Sequence, residues 1–119
     1  MEARATARYV RQSPRKMRLV ADLIRGKSVG EAYAILQHSK KRAARMVDKT
    51  LRSAVANAVD RASTDGVSLD VDDLVVAEAF VNEGPRLRRW RAAAMGRAAP
   101  RKRPLAHVTV VVGDPEDGD

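Results

Sequence analysis

The sequence predicts a single α+β domain in which three helices pack on a small antiparallel sheet and a long basic β-hairpin protrudes. Three observations carry this. Apolar residues recur with helical spacing through 14–62. Two segments rich in β-branched residues, 74–81 and 107–112, read as strands. The residues between those strands are too many for a plain loop in a compact domain, and a two-stranded arm that leaves and returns accounts for them. With 119 residues the chain has room for one domain, set at 1–112, with 84–104 as the arm and 113–119 as a disordered acidic tail.

Each element has its own signal. Residues 3–11 alternate loosely and end in Tyr9 and Val10, which suggests an extended segment or edge strand. Ser13-Pro14 starts a first helix, with Ser as N-cap and Pro at the first helical position. Met17, Val20, Ala21 and Ile24 give its apolar face, and Gly26 stops it with Arg25 in the last turn. Ser28 and Glu31 form a capping-box pattern that opens a second helix, with Ala32, Ile35 and Leu36 inward and an end near His38. Ser39 is placed to cap a third helix, whose stripe runs Ala43, Val47, Leu51, Ala54, Val55, Ala58 and Ala62. The alanines in it predict close packing against its neighbours. Ser63 to Gly66 reads as a loop and Asp70 to Asp73 as a turn. In the last strand Val108, Val110 and Val112 share one face.

The net charge of +8 is unevenly spread. Residues 84–104 hold eight basic side chains and no acid, residues 60–83 are net −6, and the tail is net −4. The first 53 residues are net +10. Such a chain points to a polyanionic partner. Ten residues per leg at about 3.3 Å each make an arm on the order of 30 Å long. A two-stranded ribbon is marginal in water, and one without acids repels itself, so it is expected to be mobile until phosphates neutralise it. Seven of its eight cations are arginine: Arg86, Arg88, Arg89, Arg91, Arg97, Arg101 and Arg103, beside Lys102. Guanidinium groups bind phosphate through two donors and stack on bases, which favours nucleic acid over a membrane surface. Trp90 suits stacking on an unpaired base; covering Leu87 and Met95 is the other reading. A second basic set comprises Arg4, Arg8, Arg11, Arg15, Lys16, Arg18, Arg25, Lys27, Lys40 and Lys41, with Arg42 and Arg45. Cations at a helix N-terminus oppose its dipole, so those opening the third helix imply an external anion.

Other classes find little support. No apolar run approaches the roughly 20 residues of a membrane span, and the N-terminus has no signal-peptide core. The chain has no cysteine, so it holds no disulfide framework, and a reducing cytoplasm is the default expectation. His38 and His107 have no partners at ligand spacing, and no metal or cofactor is expected. Asn57 is expected to be a satisfied polar group. No nucleophile–base pairing or phosphate loop appears, so an enzyme with a small-molecule substrate is not expected.

The segments 7–29 (ARYVRQSPRKMRLVADLIRGKSV), 53–59 (SAVANAV), 81–89 (VNEGPRLRR), 96–98 (GRA) and 107–112 (HVTVVV) resemble the universal large-subunit ribosomal protein family numbered twenty-two, of bacterial type. The resemblance runs from about residue 3 to 112. It implies a structural constituent of the large subunit that binds its RNA and assists assembly. It also implies neighbouring ribosomal proteins as partners and a location on the cytoplasmic ribosome. The hairpin tip, Arg88, Arg89, Trp90, Arg91, Ala92, Ala93, Ala94 and Met95, would line the nascent-peptide exit tunnel, with the globular part near the tunnel exit. The family's Pro-Arg-Ala-x-Gly-Arg-Ala motif is Ala92 to Ala98 here, and Pro100 and Pro104 remove donors from the second leg, which predicts a less regular hairpin. The alternative reading is an architectural DNA-binding protein that uses the basic arm in the minor groove.

Overall fold

Small apolar residues at alternate positions make the N-terminal segment a strand with one buried face, and β1 spans Glu2–Val10 with Ala3, Ala5, Ala7 and Val10 turned inward. The computed structural model describes residues 2–85, 87–92 and 98–114, and of 87–92 and 98–103 the backbone alone. After β1 come α1 (Pro14–Ile24), α2 (Val29–His38) and α3 (Ala43–Asp65), a 3-10 turn at Val71–Asp73, then β2 (Val75–Glu83), β3 (Leu87–Ala92), β4 (Ala98–Arg103) and β5 (Ala106–Gly113).

Pro14 sits at the start of α1 as its fixed φ allows, although the Ser13 hydroxyl makes no capping bond. Arg25 lies just past the last turn, and Gly26 takes φ +80 there. The connector from α1 to α2 then runs along β2. Gly26 N donates to Val76 O, Val76 N to Lys27 O and Val29 N to Leu74 O, at 2.8–3.0 Å, so the connector shields that edge of the sheet. Ser28 does cap α2, its Oγ accepting from Glu31 N at 3.3 Å.

Two expected boundaries differ. Ser39 closes α2 instead of opening α3: its N–H donates to Leu36 O while its Oγ accepts from Lys41 N. The third helix begins at Ala43 with Arg42 in the cap position. At its other end Ser63, Thr64 and Asp65 are helical, not a loop. Thr64 Oγ1 donates to Asp60 O at 3.1 Å, which satisfies its hydroxyl inside the helix. Gly66, at φ +68, provides the left-handed stop, with Val67 N donating back to Ala62 O.

The sheet is antiparallel in the order β1-β5-β2. Its inner face carries Val108, Val110 and Val112 in the central strand, all fully buried. The helices lie on that face. The stripe of α3 (Ala43, Val47, Leu51, Ala54, Val55, Ala58, Ala62) is buried throughout, and the alanines let α3 lie close over β1 and β5. Thr50 is buried too and donates to Met46 O at 2.8 Å. The outer face carries Arg4, Thr6, Glu78, Phe80, His107, Thr109 and Val111, of which Thr109 and Val111 in the central strand are buried.

Two polar side chains of α3 hold the free edge of β1. Arg61 Nη1 donates to Glu2 O and Asn57 Nδ2 to Arg4 O, each at 2.8 Å. Asn57 is thus a satisfied polar group. Further along, β1 carries a bulge: Ala7 pairs with Val108 and Val10 with Ala106, so Arg8 and Tyr9 together oppose His107. The bulge restores Val10 to the core face. It also puts Tyr9 at φ 57, a left-handed conformation that costs a bulky residue about 1–2 kcal/mol. Tyr9 N donates to His107 Nδ1 at 3.0 Å and the two rings meet edge-on, which offsets part of that cost.

Beyond Glu83 the chain leaves the main sheet. β3 and β4 pair as a separate two-stranded antiparallel ladder from Leu87↔Arg103 to Ala92↔Ala98. The register is unbroken, and Pro100 stands within it opposite Trp90. The expected irregularity is therefore absent from the described pairs. A two-stranded ribbon has two free edges, so a residue without an N–H fits wherever its nitrogen faces outward.

Candidate nucleic-acid interface

The arm's origin is built by close approach. Gly84 N donates to Leu105 O at 2.8 Å, and a Cβ on Gly84 would come within 3.2 Å of the His107 ring and of Leu105 Cβ. Only glycine fits there without displacing the ring that also supports Tyr9. In the ladder Arg88 stands opposite Lys102 and Arg89 opposite Arg101. Like charges directly opposite destabilise a strand pair, so this ribbon favours a bound counter-charge. Arg86, Ala93, Ala94, Met95 and Arg97 lie outside the described residues, as does the tail beyond Asp114.

On the globular part the expected cations sort into two groups. Arg11, Lys16, Lys41 and Arg42 surround a cleft of about 450 Å³, floored in part by exposed Leu19, where the N-termini of α1 and α3 meet. Neither helix receives a side-chain cap at that end. The positive ends of the two helix dipoles add to the field of the cations in the cleft, which suits an anion. Arg11 also reaches a second groove of about 470 Å³ between β1 and α3, with Arg8 and Lys49. Arg15 is exposed beside the cleft, Lys40 borders a shallow basin on α3, and Lys27 is exposed on the α1–α2 connector.

Arg18 and Arg25 are engaged elsewhere. Arg18 Nε donates to Val81 O at 3.1 Å and Arg25 Nε to Ala79 O at 3.2 Å, and Arg25 also pairs with Asp22 at 2.9 Å. These guanidinium groups fasten α1 to β2. Arg25→Ala is expected to lower stability by about 1 kcal/mol, because the group is half-exposed and its bonds are partly screened. A denaturant midpoint measured against wild type checks this; no shift would show that the fastening is dispensable.

Sequence reading passed over Lys49 and Tyr9. Lys49 could have been found from its place four residues after Arg45 on α3. The position of Tyr9 depends on the bulge, which no local pattern announces.

A family model described as ribosomal protein L22p/L17e matches residues 5–113. The chain belongs to the ribosomal protein L22p/L17e family. As a member it is a structural constituent of the large ribosomal subunit, binds ribosomal RNA and has other ribosomal proteins as partners. The family is one of structural proteins, not of enzymes. The alternative of an architectural DNA-binding protein gives way to this assignment. The match takes in the arm and all three helices and ends at Gly113, so the acidic residues from Asp114 onward lie past it. Among the described residues no helix is long and apolar enough to cross a membrane.

Proposed function

We propose that the arm, 84–104, is the part of this L22p/L17e protein that enters the large-subunit RNA. On this reading its tip, 88–95, lines the tunnel that carries the nascent peptide, and the globular part lies near the tunnel exit. The observation that carries this is the separate β3–β4 ladder, built from a stretch with eight cations and no acid. Such a ribbon repels itself. It gains stability where phosphates surround it on both sides.

The globular cations Arg4, Arg8, Arg11, Arg15, Lys16, Lys27, Lys40 and Lys41 hold the RNA surface around the arm's entry. Arg18 and Arg25 contribute mainly by fixing α1. Arg86, Arg88, Arg89, Arg91, Arg97, Arg101, Lys102 and Arg103 take phosphates along the arm, and Trp90 stacks on a base. A protein that holds several RNA segments at once lowers the entropy of joining them, and so assists assembly. Residues 1–112 act as one folding unit, and the tail 113–119 stays away from phosphate. The site of action is the cytoplasmic ribosome, with no cofactor and no small-molecule substrate.

A photoreactive residue introduced at Trp90 in ribosomes that are translating tests the placement. Cross-links to both large-subunit RNA and the growing peptide are expected. Cross-links to RNA alone would remove the tunnel assignment and leave the RNA-binding role.

A further inference from the structure

We propose that Tyr9 is a stacking platform for one unpaired nucleotide of the large-subunit RNA, with the flanking phosphates held by Arg8, Arg11 and Lys49. The proposal rests on the RNA-binding role of the family and adds a subsite at the root of the arm. Tyr9 is the one residue other than glycine with positive φ among the described residues, and it is 61% exposed. A chain selected for stability alone would place Gly or Asn in that conformation and bury the aromatic ring. Strain combined with exposure points to use.

The ring is also held in a defined orientation. It meets His107 at 4.9 Å between centroids and 90° between planes. A perpendicular contact occupies one side of the ring system and leaves room for a parallel partner. The main-chain bond from Tyr9 N to His107 Nδ1 fixes the same pair from the backbone. His107 in turn lies against Gly84, where the arm leaves the sheet. A base on Tyr9 would therefore belong to the RNA that meets the arm's origin.

Charge selects the occupant. The groove beside Tyr9 has Arg8, Arg11 and Lys49 in its lining and no acidic residue. An aromatic ring in a groove lined by three cations matches the base and phosphates of a single strand. An apolar or acidic peptide could satisfy only one of the two features.

The test compares Tyr9→Asn and Tyr9→Phe with wild type, using full-length protein and deproteinised large-subunit RNA. Asparagine tolerates the left-handed conformation, so Tyr9→Asn is expected to melt at or above the wild-type temperature. Its RNA affinity is expected to fall roughly five- to hundredfold, the range for loss of one stacked base. The slope of affinity against salt is expected to stay unchanged, because no charge is lost. Tyr9→Phe keeps the ring and is expected to bind like wild type. Undiminished binding by Tyr9→Asn would overturn the platform, as would a loss in Tyr9→Phe equal to that in Tyr9→Asn. If wild type itself fails to bind the RNA, the RNA-binding reading falls first, and the subsite with it.

Discussion

Replacing Arg86, Arg88, Arg89 and Arg91 by alanine is expected to leave the globular domain folded and to make RNA binding much less sensitive to salt. Each phosphate contact releases condensed counterions and contributes about 0.7–0.9 to the slope of log affinity against log salt. Four lost contacts reduce the slope by about three. Over a rise from 50 to 200 mM salt, the variant then loses roughly sixtyfold less affinity than wild type does. Circular dichroism and a thermal melt establish that the domain is intact, and filter binding at several salt concentrations gives the slope. An unchanged slope would mean that the phosphate contacts lie on the globular part, around the cleft of Arg11, Lys16, Lys41 and Arg42.

The second large effect concerns stability. Leu51 is fully buried at the centre of the α3 stripe, in a core made chiefly of alanine and valine. Short side chains cannot swing in to fill a void, so little relaxation follows its loss. Leu51→Ala is expected to cost about 3 kcal/mol. In a domain of this size that lowers the melting temperature by roughly 10–20 °C. A scanning calorimetry trace against wild type measures it. A drop of only a degree or two would show that α3 contributes much less to holding the sheet than its burial implies.

The parts of the structure that were legible in the sequence are those set by periodicity and by charge. The α3 stripe, the face Val108, Val110 and Val112, and the two strands flanking the basic segment follow from spacing of 3.6 or 2. The arm followed from a length that no loop explains and from eight cations without an acid. The rest depends on which of several available partners a residue takes, near or far along the chain. Ser39 and the stretch Ser63 to Asp65 carry the residue types of caps and loops, and only the bond from Thr64 to Asp60 O and the reversal at Gly66 decide where α3 ends. The pairing of the α1–α2 connector with β2 leaves no alternation to read. Among the cations, Arg18 and Arg25 look no different from Arg11 or Lys16 until α1 is laid against β2. Sequence could count the positive charges, but only the fold assigns Arg18, Arg25 and Arg61 to backbone carbonyls.

The fastening of the sheet's two outer strands bears on what happens before a ribosome exists around this protein. Ribosomal components are made as free polypeptides, and an unguarded strand invites a second copy to pair with it. Here β2 is occupied by the connector at Leu74 and Val76 and by Arg25 and Arg18 at Ala79 and Val81. On β1, Arg61 and Asn57 occupy Glu2 and Arg4. The chain thus carries its own guard against self-association while it waits for RNA. On the outer edge of β1 the bulge at Arg8 and Tyr9 makes the strand too kinked there for another to join.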